Sequence, residues 1–513
     1  MYKNKVESWK ILSIIFIALL LISSAVWAGP DDTVKVGVRY DPSTASMIQM
    51  KLGNDIPVIL PMHEALMASD PVTGDRIPSL AKSIEVLESG KTLRIVMKEG
   101  SIFHTGDPVT ADDVKFTYEQ CVNPANGNLM AGLLDEIEKI TVIDDHTLTF
   151  QFWEPYAPWK ELMWVGICSK KYFERVGPEE FNKKPVGSGP FQFVEHKIGE
   201  SLTLKAANNH YAGTVDFGTL SFLVIPDDMS RLAMLETGEL DLVYEIMPHQ
   251  LRRLEKNKKI KIKSTNKVPS LIGISIRPAI EPLMKNAKFK YAMNYAINRQ
   301  EMVDKIFLGK GYPLYMYASV AELGYDPDIQ WDFNPEKAKV FLSESGYAPG
   351  TPLTISYAAD IPNSSLVAAS IQKYLKDIGV TIRLQKLDVG TMATYAKKQD
   401  KRYGAMGMYT WGGARDPSIR MQLTLHSKGL YASYPNRYNK DELDRLITAQ
   451  GREMNAEKRK ELLAKIHKIW VDDPGSIVLF GLDLIYAMRS KIEYNWTPNE
   501  VYPNNFQNIK IIK

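Results

Sequence analysis

Residues 366–385, LVAASIQKYLKDIGVTIRLQ, contain two hydrophobic periodicities that follow one another without a linker. In the first part, apolar side chains recur every three or four residues, the spacing of one face of an α-helix, and Gly379 ends the run. In the second part, residues 380–385 alternate apolar and polar side chains like a half-buried strand. A helix that leads directly into a strand is typical of a sheet covered by helices, so the stretch indicates an α/β fold.

The same two patterns recur on both sides of this stretch. After the leader described below, about 485 residues remain, too many for one hydrophobic core, so two or three domains are predicted. A Thr110 cap with Asp113 three residues later predicts a helix start. Strand-like segments lie at 34–38, 92–97, 147–153, 191–195, 202–205, 220–225 and 239–244. Helical spacing marks 110–121, 230–238, 289–307, 441–448 and 456–470, with 289–307 as one helix before Gly309.

The N-terminus has the three parts of a secretory signal peptide. Lys3, Lys5 and Lys10 precede an apolar run over 11–22, and small residues follow up to Ala28. We therefore predict a signal peptide over residues 1–28 and an exported protein. An uncleaved anchor helix is the alternative, since the run approaches the roughly 20 residues that span a bilayer. No cysteine follows the run, so no lipid anchor is expected.

The charge balance and the cysteine and histidine content give no indication of a nucleic-acid, metal or cofactor partner. The chain has 63 basic and 60 acidic residues, so no basic face for nucleic acid is indicated. The two cysteines, Cys121 and Cys168, leave two interpretations: a disulfide in an oxidising compartment, or two buried thiols. The eight histidines lie at no ligand spacing from a cysteine or from one another, so neither a metal site nor a cofactor is predicted.

Motifs for catalysis are weak or absent in the sequence. There is no Gly-x-Ser-x-Gly elbow, no His-Glu-x-x-His and no phosphate-binding glycine loop. Ser-x-x-Lys occurs three times in unrelated segments without an accompanying Lys-Thr-Gly, as chance would give. We therefore predict that the protein is not an enzyme, although a carboxylate pair of a secreted hydrolase stays open as an alternative.

Several segments, taken in order, carry a family resemblance. Residues 103–114, FHTGDPVTADDV, are similar to "Phe-His-Asp-Gly-x-Pro…Thr-Ala-Glu-Asp-Val", with Thr105 and Asp112 as departures. The chain thereby resembles the extracellular solute-binding proteins of family 5, the peptide, nickel and opine receptors of ABC importers. Four further matches are PVGSGPF (185–191) with the later Asn-x-x-Tyr (208–211), RLAMLETGELD (231–241), AINRQE (296–301), and NPEKAK (334–339) with SGY (345–347).

The resemblance implies a two-lobed periplasmic-binding-protein-like fold of type II, in its large cluster with an accessory domain. It is an α/β fold of mixed sheets with flanking helices, in which lobe closure over a solute is a hinge motion. The implied organisation is residues 29–60, 186–268 and 481–513 in lobe one, 61–185 as the accessory domain, and 269–480 in lobe two.

The segment 409–417, YTWGGARDP, resembles a loop of this family in which a further aspartate pairs with the amino group of a bound peptide. Here no acid lies between Trp411 and Asp416. Three interpretations stay open: Asp416 binds the amine, Arg415 binds a carboxylate or phosphonate, or Arg415 and Asp416 pair with each other. Trp411 and Tyr409 are candidate ligand contacts, and Trp411 is equally a candidate for the core.

Residues 61–66, PMHEAL, resemble the family's Tyr-Glu-Gly-Leu near the cleft, with His63 in the tyrosine's place. We name His63 as a candidate ligand contact, with a satisfied, partly buried histidine as the alternative.

The resemblance implies a monomeric receptor in the periplasm that binds a peptide-like solute and delivers it to an ABC permease in the inner membrane. Alternatives are another polar solute (an opine, an oligosaccharide or a metal chelate), a sensor that presents its ligand to a membrane receptor, and the hydrolase named above.

Overall fold

The computed structural model describes residues 32–512, except 208–209, 211–212, 214, 360, 398–399, 413–414, 436 and 497–502. The predicted signal peptide over 1–28 lies outside the described residues, as does most of the Asn-x-x-Tyr match. Within the described part of the chain, no helix has both the length and the apolar character needed to cross a bilayer.

A seven-stranded mixed sheet forms the first body of the molecule. Its parallel pairs join the N-terminal strand Thr33–Val38 to Thr219–Val224 and to Leu242–Tyr244. Because these strands run the same way, their carboxyl ends meet at one edge of the sheet. In spatial order the strands are Ile260–Thr265, Leu484–Arg489, Leu242–Tyr244, Thr33–Val38, Thr219–Val224, Ser201–Ala206 and Phe191–Lys197.

A six-stranded mixed sheet forms the second body. Its central strand Leu271–Ile276 is buried throughout, as expected of a strand covered on both faces. The predicted strand of the opening stretch is present as Ile382–Lys386 and runs parallel to Leu353–Tyr357. In spatial order the strands are Gly311–Pro313, Ser476–Leu482, Leu271–Ile276, Met406–Trp411, Leu353–Tyr357 and Ile382–Lys386.

A smaller antiparallel sheet lies in the segment predicted as the accessory domain. One continuous cluster of buried apolar side chains includes Val36 of the first sheet and Phe150 of the third, so these two sheets share a core. The second sheet has a core of its own around Ile274. In spatial order the third sheet consists of Ala81–Leu87, Thr92–Met97, Thr147–Phe152 and Ile137–Asp144.

Two short hairpins complete the strands. Met67–Ser69 pairs with Arg76–Pro78, and Ile492–Glu493 pairs with Lys510–Ile511. The second of these brings the C-terminal tail back beside the first sheet, where Phe506 packs edge-on against Phe222.

The helices cover the sheets, as the sequence predicts. The helix of the opening stretch spans Ser364–Asp377, and Gly379 follows it with φ of +96°. The predicted Thr110 start is confirmed, since the Thr110 N–H donates to Asp113 Oδ2 over 2.9 Å. The α-helices are Ile56–Ile59, Ala111–Val122, Ala131–Leu134, Lys170–Val176, Pro178–Lys183, Asp228–Thr237, Leu251–Leu254, Ala287–Ala296, Arg299–Ile306, Pro335–Ser343, Ser364–Asp377, Val389–Lys397, Ser418–Thr424, Lys440–Arg452 and Ala456–Asp472.

One helix prediction is wrong. The run 289–307, predicted as a single helix, is two helices, Ala287–Ala296 and Arg299–Ile306. Ile297 adopts an extended conformation, and the Asn298 side chain caps the second helix by accepting from the Glu301 N–H over 2.9 Å.

The chain passes between the two large sheets twice, and the two passages are neighbours. It leaves the first sheet after Thr265 and enters the second at Leu271. It returns between Leu482 and Leu484, the latter paired with Thr265. The Ser264 hydroxyl donates to Asp483 Oδ2 over 2.8 Å across the two passages. Two adjacent crossing segments are the geometry of a hinge.

The two cysteines are separate thiols that are fully buried in the accessory segment. Burial raises the pKa of Cys121 to about 12 and that of Cys168 well above its ordinary value. Of the two sequence interpretations, buried thiols are therefore the one present.

The mixed sheets with flanking helices confirm the predicted α/β class, while the lobe boundaries in residue numbers remain predictions.

Candidate functional site

The carboxyl edge of the first sheet carries charged side chains directly after its parallel strands. Arg39 follows the N-terminal strand and forms two hydrogen bonds to the Asp228 carboxylate, at 2.6 and 2.8 Å. Glu245 follows Leu242–Tyr244 with φ of +59°, a conformation rare for a non-glycine residue. Burial raises the pKa of Glu245, and the charges of Arg39 and Arg231 oppose that rise. In α/β sheets this edge is where ligands bind.

Arg39 and Glu245 were missed by the sequence analysis. The signal available was their position immediately after predicted strands, 34–38 and 239–244, where polar side chains reach the edge of a parallel sheet.

The predicted loop 409–417 begins at the end of the strand Met406–Trp411, which runs antiparallel to Leu271–Ile276. Trp411 is therefore opposite Leu271, next to the hinge, and its side chain is partly exposed. The structure places Trp411 at a sheet edge rather than in the core. Residues 413–414 of the loop lie outside the described residues.

Tyr409 lies two residues before Trp411 in the same strand. Its hydroxyl lies 2.8 Å from Ser476 Oγ, and its ring covers Gly273, where a Cβ would lie 2.7 Å from the hydroxyl oxygen. Burial raises the pKa of Tyr409 well above its ordinary value. These contacts fix Tyr409 between strands of the second sheet, which is a packing role in the structure as it stands.

Arg415 extends from the second body to the other parts of the molecule. Its guanidinium lies 3.1 Å from Asp75 Oδ1 on the hairpin loop of the accessory segment, and its Nη2 donates to the Lys267 carbonyl in the hinge over 3.4 Å. The Asp75 carboxylate is 68% exposed, whereas the Arg415 side chain is 20% exposed. A half-buried cation thus faces the boundary between two parts of the fold.

Asp416 is engaged elsewhere. Both of its carboxylate oxygens accept from the Arg459 guanidinium, at 2.5 and 2.6 Å, and Oδ1 also accepts from the Ser418 N–H at 2.9 Å. The interpretation in which Arg415 and Asp416 pair with each other is therefore wrong, because each has a different partner. The bidentate pair also leaves the Asp416 carboxylate occupied, which argues against its role as an amine partner.

His63 is buried and lies away from the loop 409–417. Its Nδ1 is 3.0 Å from the Ile59 carbonyl, and burial lowers the pKa of His63 to about 4. The residue lines a cavity of about 380 Å³ between the accessory segment, the first sheet and the C-terminal tail. Trp411, Arg415, Asp416 and Tyr409 do not line this cavity.

One hairpin connects the two regions. Asp75, in its turn, contacts Arg415, while the next residue, Arg76, lines the cavity and donates from Nη1 to Ser69 Oγ over 3.0 Å. Arg76 also lies 3.5 Å from Glu161 and over the ring of Trp164. The structure therefore brings Trp411 and Arg415 together near the hinge and places His63 behind the hairpin.

Residues 75–432 match the family model of the bacterial extracellular solute-binding proteins, family 5. The dipeptide-binding protein of Escherichia coli K12 is 24% identical over 487 residues, covering 88% of this chain and 89% of that protein. Heme-binding protein A of Haemophilus influenzae is 26% identical over 418 residues, with 75% of each chain covered. The crystal structure of the ABC transporter substrate-binding protein CtaP of Listeria monocytogenes matches with a TM-score of 0.86 at 22% identity, covering 94% of this chain and all of that one.

The structural match shows the two-lobed fold, with the two large sheets as the cores of the lobes. The family model spans more than half of the chain. The chain therefore belongs to the bacterial extracellular solute-binding proteins of family 5, the substrate-binding components of ABC importers.

Proposed function

We propose that this family member is a receptor outside the cytoplasm that captures a peptide-like solute between its two lobes and delivers it to an importer permease. Its relatives bind different solutes by name, a dipeptide in one case and heme in another, so the family alone does not select the ligand. The choice of a peptide-like solute is supported by the chemistry of the loop after the strand Met406–Trp411.

The observation that carries the proposal is the position of Arg415. Its guanidinium is the cation that reaches from the second lobe to the hinge and to the accessory segment. Asp75, its partner, is a mostly exposed carboxylate, and an exposed ion pair contributes little net free energy. A carboxylate of the solute can therefore replace Asp75 at low cost and be held by the planar guanidinium in fork geometry.

Trp411 complements this contact with a flat apolar surface. It lies four residues before Arg415, at the edge of the second sheet, where a solute between the lobes would meet it. Aromatic rings provide large contact area with little loss of side-chain entropy. A carboxylate beside an apolar body is the chemistry of a peptide, and of an opine as well.

Binding of this kind needs no covalent chemistry. Lobe closure is driven only by the contacts that the solute makes in the closed state beyond those in the open one. Arg415 reaches Asp75 and Lys267 from the other lobe, so a solute whose carboxylate replaces Asp75 at Arg415 would lie between the lobes, and its contacts with both lobes would drive closure. We propose that the receptor works as a monomer in the periplasm and is exported by the predicted signal peptide without a lipid anchor. Its lobes would have the boundaries that the family resemblance implies.

The proposal is tested by a thermal-shift panel on purified mature protein. Di- and tripeptides with a free carboxylate are compared with their amides, with opines and with oligosaccharides. A bound ligand at a hundredfold excess over Kd stabilises by about 2.7 kcal/mol, which is readily detected. We expect peptides with a free carboxylate to raise the melting temperature, and Arg415→Gln to weaken their binding by roughly tenfold to a hundredfold.

Arg402→Gln is the matched control, because Arg402 is an exposed arginine of the same lobe paired with Asp400 over 2.7 Å. It should leave the peptide shift unchanged. A peptide shift that Arg415→Gln leaves unchanged would contradict the role of Arg415. A shift with oligosaccharides alone would contradict the peptide-like class.

A further inference from the structure

The cavity behind the hairpin is polar and of the size of a small-molecule site. Its volume, about 380 Å³, lies within the usual range of roughly 300–1,000 Å³ for ligand pockets. His63 and Glu64 form part of its wall on one side. The other residues that line it include Ala68, Arg76, Ser79, Trp164, His210, Asn504, Asn505 and Lys510.

His63 presents a hydrogen-bond acceptor. A carbonyl oxygen can only accept, so the contact between Nδ1 and the Ile59 carbonyl places the proton of the ring on Nδ1. With a pKa of about 4 the ring is neutral at pH 7, and Nε2 then carries a lone pair. Nε2 is buried, and no donor among the described residues reaches it.

Glu64 presents a second acceptor. Its side chain is 7% exposed, and Oε1 lies 3.4 Å from His210 Nε2. The other oxygen, Oε2, is buried and accepts from no donor in the described part of the chain. A buried carboxylate oxygen without a donor is costly, so a ligand that supplies one gains the free energy of that contact.

The two acceptors define the ligand chemistry. Each acceptor calls for a hydrogen-bond donor, and the Glu64 carboxylate favours a positive charge on its donor. A metal ion does not fit, since the described residues contain no group of three or more His, Cys, Asp or Glu side chains placed to hold one. A primary ammonium, with three donors and one charge, meets the requirement.

We propose that the cavity is a binding site for a primary ammonium group, with Glu64 as its anionic partner and His63 as a further acceptor in the same wall. The group can come from a free amine or from the amino terminus of a peptide. The site is separate from the one proposed at Arg415, because Arg415 does not line the cavity. The hairpin lies between them: Asp75 contacts Arg415, and Arg76 lines the cavity. The site also offers a carboxylate for an amine, which the loop 409–417 lacks between Trp411 and Asp416.

The test is isothermal titration calorimetry of the mature protein with two amines. The probes are 1,4-diaminobutane and the dipeptide amide Ala-Ala-NH2, which has no carboxylate to engage Arg415. Their neutral counterparts are 1,4-butanediol and N-acetyl-Ala-Ala-NH2. We expect at least one amine to bind, neither neutral counterpart to bind, and Glu64→Gln to weaken the amine by at least tenfold. Which of the two amines binds identifies the source of the ammonium group.

Two further variants keep the test decisive. Ala68→Leu fills the cavity while retaining Glu64, so it must also abolish amine binding, including if Glu64→Gln fails to fold. Asp113→Asn is the matched control, because Asp113 is a buried carboxylate of the same segment that does not line the cavity. It should bind the amine like the wild type, and so should Arg415→Gln.

Binding of neither amine, equal binding of the neutral counterparts, or unchanged affinity in Glu64→Gln would each overturn the proposal. These results leave the peptide proposal untouched, since that one depends on a free carboxylate and on Arg415.

Discussion

At the residue scale, Asp416, the residue after Arg415, forms a largely buried ion pair with Arg459. The two side chains are 13% and 7% exposed, and Arg459 also donates to Ser418 Oγ and to Gln450 Oε1. Removing one partner of such a pair leaves a buried charge, which costs about 3 kcal/mol. We expect Asp416→Ala to lower the free energy of unfolding by that amount, measured by urea denaturation, while the protein still responds to peptides in a thermal shift.

The double variant Asp416→Leu with Arg459→Met should recover most of the loss, since replacing both charges by apolar groups avoids the unpaired cation. A lost peptide response in Asp416→Ala, with stability unchanged, would instead restore Asp416 as the amine partner.

The sequence offered Arg415 and Asp416 as candidate contacts but did not identify their partners. Arg415 contacts Asp75 at a separation of 340 residues, and Asp416 contacts Arg459 at 43. Such pairs depend on tertiary packing, about which local spacing carries no information. Of the three open interpretations, the one in which Arg415 and Asp416 pair with each other is not the arrangement in the structure, because neighbouring residues of a loop need not face the same side.

At the element scale, periodicity predicted the helix Ser364–Asp377 and the strand Ile382–Lys386, since one face of each is buried against the second core. It failed at Ile297 and Asn298, because the helical spacing of apolar residues continues through the break. The local signal was the cap, Asn298 with Glu301 three residues later, which marks a helix start within the run.

Buried His467, on the helix Ala456–Asp472, makes the stability of the protein depend on pH. This histidine is 1% exposed, and burial lowers its pKa to about 4, with a further contribution from the charge of Arg420. In the unfolded chain the His467 ring takes up a proton near pH 6.5, whereas in the folded protein it does so only near pH 4. The folded state is therefore at its full stability with respect to this residue above pH 6.5 and loses stability on acidification from pH 6.5 to pH 4. We expect the free energy of unfolding to fall over this window by up to about 1.4 kcal/mol per pH unit for this residue.

His467→Gln should flatten the profile by this amount in urea denaturation at a series of pH values. The exposed His249 is the control, and His249→Asn should leave the slope unchanged. An identical slope in His467→Gln would contradict the assignment of a neutral, buried ring.

At the scale of the whole molecule, Arg415 makes one of its contacts at a segment that connects the lobes. The chain joins the lobes only near 266–270 and 483 within the described residues, so the lobes can turn about this line. Arg415 reaches across it to Lys267 and Asp75. A solute whose carboxylate replaces Asp75 at Arg415 would therefore favour the closed arrangement through the further contacts that it makes with both lobes.

The central claim, capture of a peptide-like solute without chemistry, is tested most directly by native mass spectrometry of protein purified without denaturation. We expect an adduct with the mass of a peptide that is released intact on denaturation and is absent from Arg415→Gln. An adduct that is an oligosaccharide or a metal chelate, or an added peptide that is hydrolysed during incubation, would contradict it.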